Sequence, residues 1–233
     1  MPAALSILSG ACANAQELPP VAAPSLLAQF SSSTVFWQQF EVAKRIVETG
    51  DAGILKDLEP WLSREDRHLR GNAAFVFAGL GDPRGLDTIL AMLTDESTRP
   101  EGQGIPGGRF TVAGQVHADR YYAVHLCGEL KAPRAIDGLV PLLNDTGVNY
   151  HVAWALGEIG DRRATQPLIG ALASHDPFMR ISSIQALEQL GATEALPQIR
   201  ALLTDQAMAT NNGARVSVGD TARVAVAKLQ KEP

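Results

Sequence analysis

Apolar residues in this chain return every three or four positions, in short runs that stop at a glycine and resume a few residues later. The stretch NYHVAWALGEIGDRRATQPLIGAL, residues 149–172, shows the unit most clearly. Val152, Ala153, Leu156 and Ile159 fall at helical spacing and predict a first helix. Gly160 ends it, because glycine enters the left-handed region cheaply. Asp161 is placed to cap the next helix, and Thr165, Leu168, Ile169 and Leu172 form that helix's inner stripe. Two such helices cannot bury their apolar sides alone, so the unit needs neighbours.

The rest of the chain supplies them. With the turn residue as origin, the series is Gly50, Gly81, Lys131, Gly160 and Gly191. Eight residues on stand Leu58, Ile89, Leu139, Leu168 and Ile199, and twelve on stand Leu62, Leu93, Leu143, Leu172 and Leu203. Eleven before the origin are Arg70, Arg120 and Arg180, with Asn149 in the fourth copy. This is an internal repeat of roughly 30 residues, whose copies lie at about 35–62, 67–93, 119–143, 147–172 and 176–203. A last helix is predicted over 220–229.

Two stretches interrupt the period. Residues 94–118 are rich in Gly and Pro and read as non-helical, with a small hairpin expected where RFTVAGQV turns about Ala113-Gly114. Residues 204–219 sit at the same place in the unit three repeats later. At about 10 Å per helix layer the two inserts stand on the order of 30 Å apart, and are expected to wall a groove. Phe36, Trp37 and Phe40 crowd the first repeat and are expected to seal the open end of the stack.

The repeats make residues 35–233 one elongated domain, behind an N-terminal tail of 1–34. That tail holds Ala13-Asn14-Ala15, which resembles a signal-peptidase site, and Cys12, set as in a lipoprotein site except that Ser9 stands where an aliphatic belongs. Export to the periplasm or beyond is the expectation, with the cytoplasm as alternative. A formal charge of −5 argues against a nucleic-acid partner, and no run is long enough to span a bilayer. Two cysteines make no disulfide framework, and Cys127 occupies an apolar column. The arginine column reads as a structural ladder rather than an anion site.

GEIGDRRATQPLIGAL and RISSIQALEQLGATEALPQIRALL resemble the short HEAT-like repeats first named from phycobilisome lyases, over about 35–203 and the last helix. The resemblance implies an all-α solenoid of about five helix pairs plus a terminal helix, with two inserted loops. It implies less about activity, since the family holds scaffolds, lyase subunits and a few enzymes.

Function must then be sought on the face of the first helices turned from the core, at positions 10, 9, 6 and 2 before the origin. Repeat three places Tyr121, Tyr122, His125 and Glu129 there, and repeat four Tyr150, His151, Trp154 and Glu158. Phe75 of repeat two and Gln185 of repeat five flank them. All three tyrosines of the chain lie on this face, and rigid aromatics concentrate at binding sites.

The first expectation is a non-enzymatic module that recognises a protein partner along these residues, with no catalytic residue, cofactor or metal. The alternative is a chromophore lyase or its subunit, since an aromatic groove suits a flat tetrapyrrole. A metal-dependent enzyme using His125, Glu129, His151 and Glu158 is the third. The spacing of those four is no tight ligand motif, and the His-Glu dipeptides of HEAT-repeat iron hydroxylases are absent.

Overall fold

The computed structural model describes residues 23–97, 112–211 and 214–231. Helix α1 (Ala23–Ser32) comes first, and five helix pairs follow. These are α2 (Phe36–Thr49) with α3 (Leu55–Leu58), α4 (Arg67–Gly79) with α5 (Pro83–Leu93), α6 (Val112–Glu129) with α7 (Ile136–Leu139), α8 (Asn149–Ile159) with α9 (Thr165–Ala171), and α10 (Pro177–Gln189) with α11 (Leu196–Ala201). Helix α12 (Val218–Leu229) closes the stack. Each first helix packs on the first helix of the next layer, and one continuous apolar core runs through all of them. The architecture is an α-solenoid.

The turn column behaves as its glycines demand. Gly50, Gly81, Gly160 and Gly191 all have positive φ, between 60° and 87°, and Lys131 is the one non-glycine among the described residues to share it, at 47°. A side chain there costs roughly 1 kcal/mol, so Lys131→Gly is expected to stabilise the protein by about that amount. A thermal melt should rise by roughly 2–4 °C, and an unchanged melt would show the backbone unstrained at this corner. Aspartates start the next elements as expected: the carboxylates of Asp66, Asp82, Asp161 and Asp176 accept backbone N–H groups two residues on. Helices α3 and α7 are cut to four residues by flanking 3-10 turns, where Pro60 and Pro141 remove a helical N–H.

The arginine ladder is observed. Arg120 donates from Nε to the Leu93 carbonyl (2.8 Å) and reaches Asp145 at 2.6 Å, joining repeats two, three and four. Arg180 donates to the Ser174 carbonyl at 2.6 Å and pairs with Asp205 at 2.9 Å. Arg70 is bound to the Arg64 carbonyl at 3.2 Å.

Three expectations need correction. The packed chain begins before residue 35: α1 buries Leu26 and Phe30, and the Phe30 ring meets Trp61 edge-on at 5.1 Å. It is α1, not the aromatic group of α2, that covers the first layer. Residues 1–22, with Cys12 and the Ala13-Asn14-Ala15 motif, lie outside the described residues.

The hairpin expected at 109–116 is not formed over 112–116, where the chain is already helical. Gly114 inside the helix costs about 1 kcal/mol. Asp119 on the same extension is held by Arg67 at 3.1 Å and faces His68 at 3.4 Å, contacts that help to offset that cost. The two strands belong instead to the second insert. Strand β1 (Met208–Asn211) pairs antiparallel with β2 (Ala214–Ser217), and the hairpin lies against α10 and α12. Among the described residues no helix is long and apolar enough to cross a membrane.

Candidate functional site

The first helices turn one face into a groove of about 850 Å³, within the range typical of small-molecule sites. Its lining follows the repeat. Ten, nine and six residues before the turn stand Phe40, Glu41 and Lys44 on α2, and Tyr121, Tyr122 and His125 on α6. The same positions give Tyr150, His151 and Trp154 on α8, then Ser182 and Gln185 on α10. One helical turn earlier, thirteen before the origin, stand Trp37, His68, Ala118 and Phe178. Phe36 and Glu129 complete the lining.

Eight of the ten residues singled out in the sequence are thus brought together: Tyr121, Tyr122, His125, Glu129, Tyr150, His151, Trp154 and Gln185. Phe75 and Glu158 are not. Phe75 is buried against Phe40, ring centroids 4.9 Å apart. Repeat two presents Gly71 where repeats one, three and four carry a ring, so α2 and α6 close over it, and Tyr122 packs beside that glycine. Glu158 turns outward and accepts a bond from Gln189 Nε2 at 3.0 Å.

The second insert does not wall the groove: no described residue of 204–219 lines it, Phe178, Ser182 and Gln185 of α10 border that end, and helix α2 lines the opposite end. Phe36, Trp37 and Phe40, expected to plug the end, are part of the lining. Reading the face columns back into repeat one names Phe40, Glu41 and Lys44, so the signal was there.

The rings form an ordered ladder. Tyr121 stacks on His151 at 3.9 Å with planes 13° apart. His151 stacks on Trp154 at 4.6 Å and 13°, and Trp154 on His125 at 5.2 Å and 14°. Phe40 meets His125 edge-on at 5.8 Å, Tyr122 lies near-parallel to His125 at 6.2 Å and 24°, and Phe36 is edge-on to Tyr122 beyond it. Near-parallel rings along one wall, with the Phe40 edge beside them, offer apolar contact to a flat conjugated guest.

Gly128 makes the ladder possible. A Cβ there would stand 2.7 Å from Cζ3 of Trp154, so the indole lies directly on the α6 backbone.

Beneath the rings runs a buried polar chain. Tyr122 donates its hydroxyl to Asn72 Oδ1. Asn72 Nδ2 donates to Gln39 Oε1 (2.9 Å), and Gln39 Nε2 to the Phe30 carbonyl (3.0 Å). The groove wall is thereby bonded through α4 and α2 to α1.

A second buried cluster flanks it. Asp119, fully buried, accepts from Arg67 Nη1 at 3.1 Å and faces His68 Nδ1 at 3.4 Å, and Arg67 also pairs with Asp95 at 2.8 Å. The sequence pattern assigns nothing to His68, yet its ring lies tilted against Phe36, centroids 4.4 Å apart, and lines the groove.

Electrostatically the groove keeps the His125 and His151 imidazoles neutral. Burial, helped by the neighbouring His125, pushes His151 down to about 3. His125 is also lowered by burial, with Lys44 adding to the effect and Glu129 opposing it. Burial raises Tyr122, and the fields of Glu129 and Glu41 add to it. Cys127, outside the groove, is pushed up to about 12 by burial and is no nucleophile.

Since His151 takes up its proton near pH 6.5 when unfolded but near 3 when folded, the unfolded state binds more protons between those values. Stability is therefore unaffected above pH 6.5 and falls on acidification below it, by about 2 kcal/mol at pH 5. Urea midpoints measured from pH 8 to 5 should show this slope, and His151→Phe should flatten it. Equal slopes in both proteins would mean His151 is accessible to protons.

For a metal the groove offers little. His125 Nε2 stands 3.9 Å from Glu129 Oε1, and no three His, Cys, Asp or Glu gather at a common point among the described residues.

Comparison with known proteins places this geometry in context. The family profile described as HEAT repeats matches residues 117–187 and 144–214. The chain is 33% identical over 145 residues to the bilin biosynthesis protein PecE of Mastigocladus laminosus, an alignment spanning 61% of this chain and 49% of that one. It is 37% identical over 95 residues to the phycocyanobilin lyase subunit alpha of Picosynechococcus sp., covering 36% of this chain and 35% of that one. The matches thus span about a third to a half of the length of these relatives. Among solved structures, the complex of CpcE and CpcF of phycocyanin lyase from Nostoc sp. PCC7120 superposes with a TM-score of 0.51 at 21% identity, over 97% of this chain and 71% of that chain.

Proposed function

Because this chain is a HEAT-repeat protein of the short, phycobilisome-lyase type, we propose that it is a bilin-lyase subunit whose aromatic groove takes an open-chain tetrapyrrole. The observation that carries the reading is the parallel stack of Tyr121, His151, Trp154 and His125 along one wall of the groove. A conjugated, nearly planar pigment gains dispersion and quadrupole contacts from such a wall, and neutral imidazoles keep it apolar. The names of the relatives, one in bilin biosynthesis and one a phycocyanobilin lyase subunit, support the same ligand class. Recognition of a protein along this face, the first expectation from sequence, becomes the second reading. It is supported by half-exposed Trp37 at the rim and by a relative named as one subunit of a lyase. A lyase subunit has both a pigment and a polypeptide to hold, so the two readings are compatible.

The test is an absorbance titration of the purified protein with free phycocyanobilin. Saturable binding with a shifted long-wavelength band is expected. A spectrum identical to that of free pigment at every ratio would remove the proposal.

A further inference from the structure

We infer that Glu129 is the carboxylate that recognises the N–H groups of the bound pigment and holds it as its cation, an inference that rests on the bilin reading above. Three formally charged side chains line the groove, two carboxylates and one ammonium, which leaves one net negative charge. Glu41 is satisfied by Lys44 at 2.8 Å on the same helix. Glu129 is not: the closest basic atom to it among the described residues is His125 Nε2, at 3.9 Å. That distance is too long for a hydrogen bond. The imidazole is also held neutral by its burial, so it supplies no counter-charge. A carboxylate with only a third of its side chain exposed, set at the edge of an apolar wall, gains most from N–H donors or a positive charge.

A tetrapyrrole brings both. Its pyrrole N–H groups point to one side of the chain of rings, and its imine nitrogen accepts a proton from water. With the rings laid against Trp154 and His125, Glu129 lies one helical turn beyond His125 on α6. The other titratable groups of the lining are Tyr121, Tyr122 and His125 on its own helix, Glu41 and Lys44 on α2, His68 on α4, and Tyr150 and His151 on α8. Its field already reaches Tyr122 and His125, raising both.

The same phycocyanobilin titration, run at pH 7.5 on wild type, Glu129→Gln and Glu129→Asp, tests it. Glu129→Gln should bind roughly ten- to a hundred-fold more weakly, and its bound pigment should show the band of the neutral form. Glu129→Asp, which keeps the charge, should recover part of both effects. Among the described residues the Glu129 side chain makes no hydrogen bond, and a circular dichroism melt of each variant confirms folding. If Glu129→Gln binds with wild-type affinity and the wild-type band, the assignment of Glu129 is overturned while the groove remains the pigment site. If wild type itself does not bind, the groove reading fails and this inference with it.

Discussion

Asp119→Ala is expected to destabilise the protein by about 3–5 kcal/mol, because it removes a carboxylate from a buried guanidinium. Asp119 is wholly inaccessible and Arg67 nearly so, and the pair joins α4 to the extended start of α6. Without Asp119, Arg67 keeps Asp95 at 2.8 Å and the Ser97 carbonyl at 3.1 Å, so part of its charge stays compensated. The lower end of the range is therefore expected, read as the shift in urea midpoint at constant slope. Replacing both partners together, Arg67→Met with Asp119→Leu, should restore most of the loss, since no fully buried charge is then stranded and Asp95, which loses Arg67, is partly exposed. A loss below about 1 kcal/mol for Asp119→Ala would show that the cluster is wetter than its burial implies.

Trp154→Ala carries the second large effect, on binding rather than on folding. The indole is the centre of the ladder, between His151 and His125, and it rests on Gly128. Its truncation removes the broadest face in the groove and frees both imidazoles to reorient, so pigment affinity should fall about a hundred-fold. Stability should fall by only about 1–2 kcal/mol, because the ring is partly exposed and no backbone bond depends on it. A loss of several kcal/mol with affinity unchanged would identify Trp154 as a wedge between α6 and α8 instead of a contact surface.

The repeat was legible in the sequence because its physics is local. A glycine at each turn, an aspartate at the next cap and apolar residues at fixed offsets specify a helix pair without reference to distant chain. The lining of the groove was partly legible for the same reason, as the face columns held Tyr121, His125, His151 and Trp154. Phe75 shows where that logic ends. Its column is correct, but whether a column is open depends on the neighbours, and Gly71 lets Tyr122 and Phe40 close over repeat two.

The missed wall, α2, was a failure to carry the columns into repeat one, where the aromatic cluster invited a reading as an end cap. The hairpin forms in the second insert. Asn212-Gly213, between β1 and β2 in sequence, is the stronger two-residue hairpin signal, whereas 112–116 joins the helix that brings Asp119 to Arg67. The His68–Asp119 contact joins residues 51 apart in sequence, a pairing that no local pattern encodes.

Five successive layers each contribute a helix turn to the same groove, from α2 to α10. Its mouth is therefore set by the sum of four small rotations between layers, each of them soft in a stack whose parts touch only their neighbours. A stiff guest lying across all five would act as a splint. It would damp bending of the whole superhelix, and residues far from the guest would become harder to open simply because the spring they belong to had been clamped.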